Sequence, residues 1–157
     1  MNSAGGIRRL TPLIVLVLTS VLLTTAARAA LGGDVTSVQN DAVRMKGAVR
    51  STFGAAYTVH EITAAGGSVV REYISPQGKV FAVSWHGPVL PDFQQLLGDY
   101  YADFRQGVQS RERRIRGPVV VEKPGVVIQS AGHMRNFMGR AYLTNQLPQG
   151  VTPQTIE

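Results

Sequence analysis

Ser84 and His86 stand two apart in "VSWHG", so in an extended strand their side chains share one face, about 6 to 7 Å apart along it. A hydroxyl beside an imidazole does acyl transfer when the two are in hydrogen-bond contact and an acid, here Asp92, orients the ring. That chemistry also needs a backbone oxyanion hole, and no "GxSxG" elbow or comparable signature occurs in the chain. The pair reads equally well as the polar side of an ordinary strand. His60, His86 and His133 are far apart in sequence, with none of the local spacing of a preformed metal site, and the lack of cysteine removes disulfides and thiolate zinc. No metal and no cofactor is expected. Asp99 and Asp103, one helical turn apart, suit a shared cation or paired acid and base work, and equally suit a solvated helix face.

Two stretches have the composition of contact surfaces. Arg111, Arg113, Arg114 and Arg116 form a dense basic cluster that can hold an anionic envelope polymer, lipid phosphate or an acidic partner by bidentate contacts; as a bare charge run it is a solvated loop. In "AGHMRNFMGRAY", Ala131 to Tyr142, the polar residues His133, Arg135, Asn136 and Arg140 interleave with Met134, Phe137, Met138 and Tyr142. Mixed polar and soft apolar groups make adaptable binding surfaces, and they also close a sheet with their polar tips in water.

The compartment follows from the first 29 residues. Arg8 and Arg9 precede an apolar run from Leu10 to Leu23 and the small-residue stretch "TTAARAA", the pattern of a secretory signal peptide cleaved after Ala29. The run is shorter than the roughly 20 apolar residues that span a bilayer, so residues 30–157 are expected as one exported domain with no membrane span, periplasmic or secreted. Arg8, Arg9 and Arg28 leave with the signal, lowering the formal charge from +6 to +3. Most of the apparent basicity is therefore targeting, and nucleic acid is not an expected partner.

The elements that must position these residues are mostly strands. Ala56 to Ile62, Ser68 to Ile74 and Lys79 to Trp85 are rich in β-branched and aromatic residues and are separated by "AAGG" and "SPQG" turns, which makes them antiparallel neighbours. The period of two places Phe81, Val83 and Trp85 on one face and Ser84 and His86 on the other. Asp34 can cap a short helix carrying Val35 and Val38. From Pro91 to Val108 the residues Phe93, Leu96, Leu97, Tyr100, Phe104 and Val108 recur at helical spacing, with Asp92 and Gln95 forming a capping box. Val119 to Glu122 and Val126 to Ser130 pair across Lys123-Pro124-Gly125, and Asn136 to Leu143 is a further strand. The expected fold is α+β: an antiparallel sheet of about five or six strands with one amphipathic helix packed across one face.

"YTVHEI", "VREYISPQGKVFAVSWHGPVLPD" and "QSAGHMRNFMGRAYLTNQLPQGV", with "ALGG" at the expected mature N-terminus, resemble a family of small exported bacterial proteins known as domain of unknown function 2844. The resemblance implies no activity, substrate or catalytic residue. The residues lead to a non-enzymatic envelope protein that binds another exported protein or an anionic surface component. The alternative is a small envelope hydrolase or transferase with His86 or His133 as general base.

Overall fold

Alternating apolar residues and tight turns fold the chain into one antiparallel sheet of seven strands. They are β1 Ala48–Phe53, β2 Thr58–Thr63, β3 Val69–Ile74, β4 Val80–Gly87, β5 Val119–Lys123, β6 Val126–His133 and β7 Asn136–Leu143. Their spatial order is β1-β2-β3-β4-β7-β6-β5, so two meanders, β1 to β4 and β5 to β7, join where β4 pairs with β7. The computed structural model describes residues 30–110 and 117–157; the expected signal peptide lies outside them. Among the described residues no helix is long and apolar enough to cross a membrane.

The sheet has seven strands where five or six were expected, the addition being β1. "AVRSTF" carries no apolar alternation, because all of its residues but Val49 are exposed. Pairing with β2 from Ala48↔Thr63 to Phe53↔Thr58 makes it a strand, rather than any buried face of its own.

The α-helices cover one face of the sheet, and a 3-10 turn at Pro153–Thr155 lies on the other. α1 spans Thr36–Met45, beginning after the N-cap Val35; Asp34 precedes that position, its carboxylate 2.5 Å from Lys79 Nζ. The single helix expected from Pro91 to Val108 is broken. α2 runs Phe93–Leu97, a 3-10 turn covers Gly98–Tyr100, and α3 continues from Tyr101 to Ser110. The break is at Gly98, whose φ of 53° and ψ of −119° lie outside the helical region and suit glycine alone. Leu96, Leu97 and Phe104 stay buried, as the spacing predicts, but Val108 is exposed. Asp92 caps α2, accepting from Gln94 N at 2.9 Å and Gln95 N at 3.2 Å. The return arm of a capping box is replaced, since the Gln95 amide donates to Asp41 on α1.

A β-bulge corrects the parity of β4. Tyr73 pairs with Ala82 but Ile74 pairs with Val80, so Phe81 is the extra residue. Val80, Val83 and Trp85 pack under the helices, whereas Phe81 joins Ala82, Tyr73, Tyr142 and Ile156 on the opposite face. Trp85 is 3% exposed and meets Phe93 edge-on at 5.1 Å, and Phe93 meets Phe104 at 4.9 Å, an aromatic ladder from sheet to α3. After it, Gly87 ends β4 with φ of 149°, and an added Cβ would lie 2.5 Å from the Ser68 Cα. Ser68 Oγ donates to Val89 O at 2.6 Å and accepts from Val89 N at 3.0 Å, so "WHGPV" is a pinned corner.

Candidate functional site

Strand register aligns a polar row across the face that the helices leave open. Arg50, Glu61, Arg71, Ser84, Arg140, Gln129 and Val120 are successive cross-strand partners from β1 to β5. At its centre the closing segment of the chain is held down. Ser84 Oγ, Tyr73 Oη and Arg71 Nη1 all donate to the main-chain oxygen of Glu157, at 2.5, 2.9 and 3.0 Å. Arg140 Nη1 donates to the main-chain oxygens of Pro153 at 2.7 Å and Ile156 at 3.2 Å, while its Nε takes Gln129. Ile156, 1% exposed, is the apolar anchor.

Past Glu157 the same face opens into a groove of about 600 Å³ walled by His86, Pro118, Val120, Ala131, Met138 and Arg140. Val120 and Met138 are 51% and 44% exposed, so the lining is apolar surface in contact with water. Among the described residues Arg140 has no carboxylate partner.

The residues singled out in the sequence separate in space. Ser84 is 2% exposed and its hydroxyl proton is committed to Glu157, while the carboxylate of Asp92 caps α2. His86 is exposed on the same face as Ser84, one row further along, opposite Met138. His133 closes β6 opposite Asn136 and does not line the groove of His86. His133, Met134, Arg135 and Asn136 form the exposed tip of the β6–β7 hairpin, where Met134 and Arg135 adopt φ of 52° and 67°. Such left-handed pairs normally carry glycine or asparagine. Arg140 alone of the expected binding residues is in the groove; Arg111, Arg113, Arg114 and Arg116 lie outside the described residues. His60 receives or donates a hydrogen bond with Ser51 Oγ at 2.7 Å, and burial pushes its pKa down. Asp99 and Asp103 both lie past the break at Gly98, in the 3-10 turn and the first turn of α3. Among the described residues no three His, Asp or Glu side chains gather as a metal group.

The covered face holds a site not singled out in the sequence. Glu72 of β3 projects between Val70 and Ile74 into the core, 0% exposed, and meets Asp41 of α1, 3% exposed. Burial first, and then the charge of Asp41, push the Glu72 pKa up to about 9, so Glu72 holds a proton at neutral pH beside Asp41. Asp41 also rises on burial, against the Gln95 amide, the neighbouring Glu72 carboxyl and the charge of Arg44. The Gln95 amide lies 2.5 Å from Asp41 Oδ1. Among the described residues Asp41 Oδ2, both Glu72 carboxyl oxygens and Ser37 Oγ, one turn earlier on α1, are buried without a hydrogen-bond partner. Asp41 forms part of the floor of a polar cleft of about 780 Å³ between α1 and the α2 break. The signal for it was present in "VREYI", where alternation sets a carboxylate in an apolar row.

The family described as "Protein of unknown function (DUF2844)" matches residues 27–156. The chain belongs to this family. The matched span runs through every described strand and helix, and so covers the open-face row and the buried carboxyl pair alike. No curated protein and no solved structure matches the chain.

Proposed function

We propose that this member of the family is an exported, non-enzymatic envelope protein that binds an anionic segment of another exported protein along the open-face groove. What supports export is the charged, apolar and small-residue order of residues 1–29. What supports the binding reading is one observation: the face already carries a docked piece of chain. Residues 153–157, a 3-10 turn at Pro153–Thr155 followed by Ile156 and Glu157, lie there with main-chain oxygens on Arg71 and Arg140 and with Ile156 inserted as anchor. The groove continues that docking line, is apolar, and lies beside Arg140, which has no acidic partner among the described residues. A second segment with an apolar side chain for Met138 and Val120 and a carboxylate for Arg140 matches it in shape and charge.

A photo-crosslinking side chain placed at Met138 tests this in cells expressing the full chain. We expect one adduct of defined mass at Met138, weakened by Val120→Asp, and none from the same probe at Asp103 on the helical face. Equal labelling from both positions, or none at Met138, overturns the reading.

A further inference from the structure

The polar cleft on the covered face is independent of the groove. α1 supplies Asn40, Asp41 and Arg44, the start of α2 supplies Gln94 and Gln95, and Gln146 follows β7. Past the break at Gly98, Tyr100 packs half-buried against the core and borders the same space. Four of these side chains are amides, each presenting a donor and an acceptor. Glu72 is held protonated beneath Asp41, whose own pKa is pushed up by burial and which Arg44 faces. Asp92, also on the wall, spends Oδ1 on two helix amides, and Asp99 sits exposed at the rim.

A carboxyl group accepts hydrogen bonds at both oxygens. The Gln95 amide takes Asp41 Oδ1, and Asp41 Oδ2 is buried with no hydrogen-bond partner among the described residues. A buried group with acceptor capacity left over, on the floor of a cleft whose walls both donate and accept, calls for a ligand rich in groups that do the same. Hydroxyl groups have that property; a purely cationic or anionic ligand does not. We propose that this cleft binds a neutral polyhydroxylated ligand, a glycan segment, with Asp41 as its central acceptor and Tyr100 as its stacking surface.

Titration of the full chain with N-acetylated chitotetraose, followed by amide chemical shifts, is the test. Saturable shifts are expected at Asn40, Gln94 and Tyr100, with affinity reduced at least tenfold in Tyr100→Ala and in Asp41→Asn. Asn40→Ala, on the exposed side of α1, gives the same loss without touching the core, so a fold defect in Asp41→Asn leaves the outcome decided. Val120→Asp on the open face keeps full affinity. The proposal fails if the neutral oligosaccharide gives no saturable shift, if only its deacetylated, cationic form binds, or if Asn40→Ala and Tyr100→Ala bind as the wild type does.

Discussion

Arg71 and Glu72 are consecutive residues on β3 and face opposite sides of the sheet. Arg71 points to the open face, reaches Glu61 at 2.8 Å with side chains about one-third exposed, and lends a second nitrogen to Glu157. Glu72 points under the helices, is fully buried, and meets another acid. The open face solves its charge with an opposite charge and water; the covered face solves it with a proton. Coulomb attraction at the half-exposed pair is screened, so it contributes little. At the buried pair, desolvation dominates and sets the protonation state instead.

The largest effect that sharpens this contrast comes from the covered core. Leu96→Asp puts an unpaired charge where exposure is 0% and is expected to abolish folding, and Trp85→Ala to cost about 3 to 5 kcal/mol, whereas Asp99→Lys on the rim melts as the wild type does. Thermal melts of the three variants read this directly. If Asp99→Lys and Leu96→Asp destabilise alike, the covered side of α2 is misassigned.

Next in size is the buried proton. The folded pKa of Glu72 lies above its unfolded value near 4.5, at about 9, so the native state binds more protons in that window. Stability from this group is full below pH 4.5 and is lost progressively as pH rises to about 9. Glu72→Gln mimics the protonated acid and removes the loss. It should therefore be more stable than wild type by about 3 to 4 kcal/mol at pH 7, which lies above the unfolded pKa of 4.5 and below the folded one, at about 1.4 kcal/mol per pH unit, with the two melting curves meeting near pH 4.5. His60 acts in the other direction: its depressed pKa takes stability away as pH falls through 6.5 and below. A Glu72→Gln variant whose pH profile parallels the wild type would show that the pair is ionised.

The open face should respond least. Arg71→Ala is expected to cost about 1 kcal/mol or less, falling further in high salt, because its ion pair is partly exposed. Its clearer signature is faster hydrogen exchange at Ile156 and Glu157, which lose a guanidinium donor to the docked segment. His86→Ala should lie within about 0.5 kcal/mol of wild type. A loss above about 2 kcal/mol in either would mean that the open face bears core-like energy.

Much of the strand framework was legible. β7 has the boundaries that its alternation predicts, and β2, β3, β4, β5 and β6 fall within a few residues of theirs, because their apolar periodicity and turn glycines are local signals. β1 was not, since a partner strand rather than a buried face makes it. The helix break at Gly98 was visible only as a glycine in an otherwise continuous apolar pattern. Of the site, Ser84, His86 and Arg140 were visible as residue types, but the partner of each was set by register: Ser84 meets Glu157 rather than a histidine.

Local chemistry by itself determined the strand periods, the Asp92 cap, the corner at Gly87 and the inward face of Leu96 and Leu97, because each depends on neighbours within a few residues. Only the tertiary structure decided the bulge at Phe81, which reverses which face a residue serves, and the meeting of Asp41 with Glu72 across the α1–β3 contact. Neither is encoded at short range. The bulge follows from the competition of two strands for register, and the buried proton from the desolvation of two acids brought together by packing that their own segments do not specify.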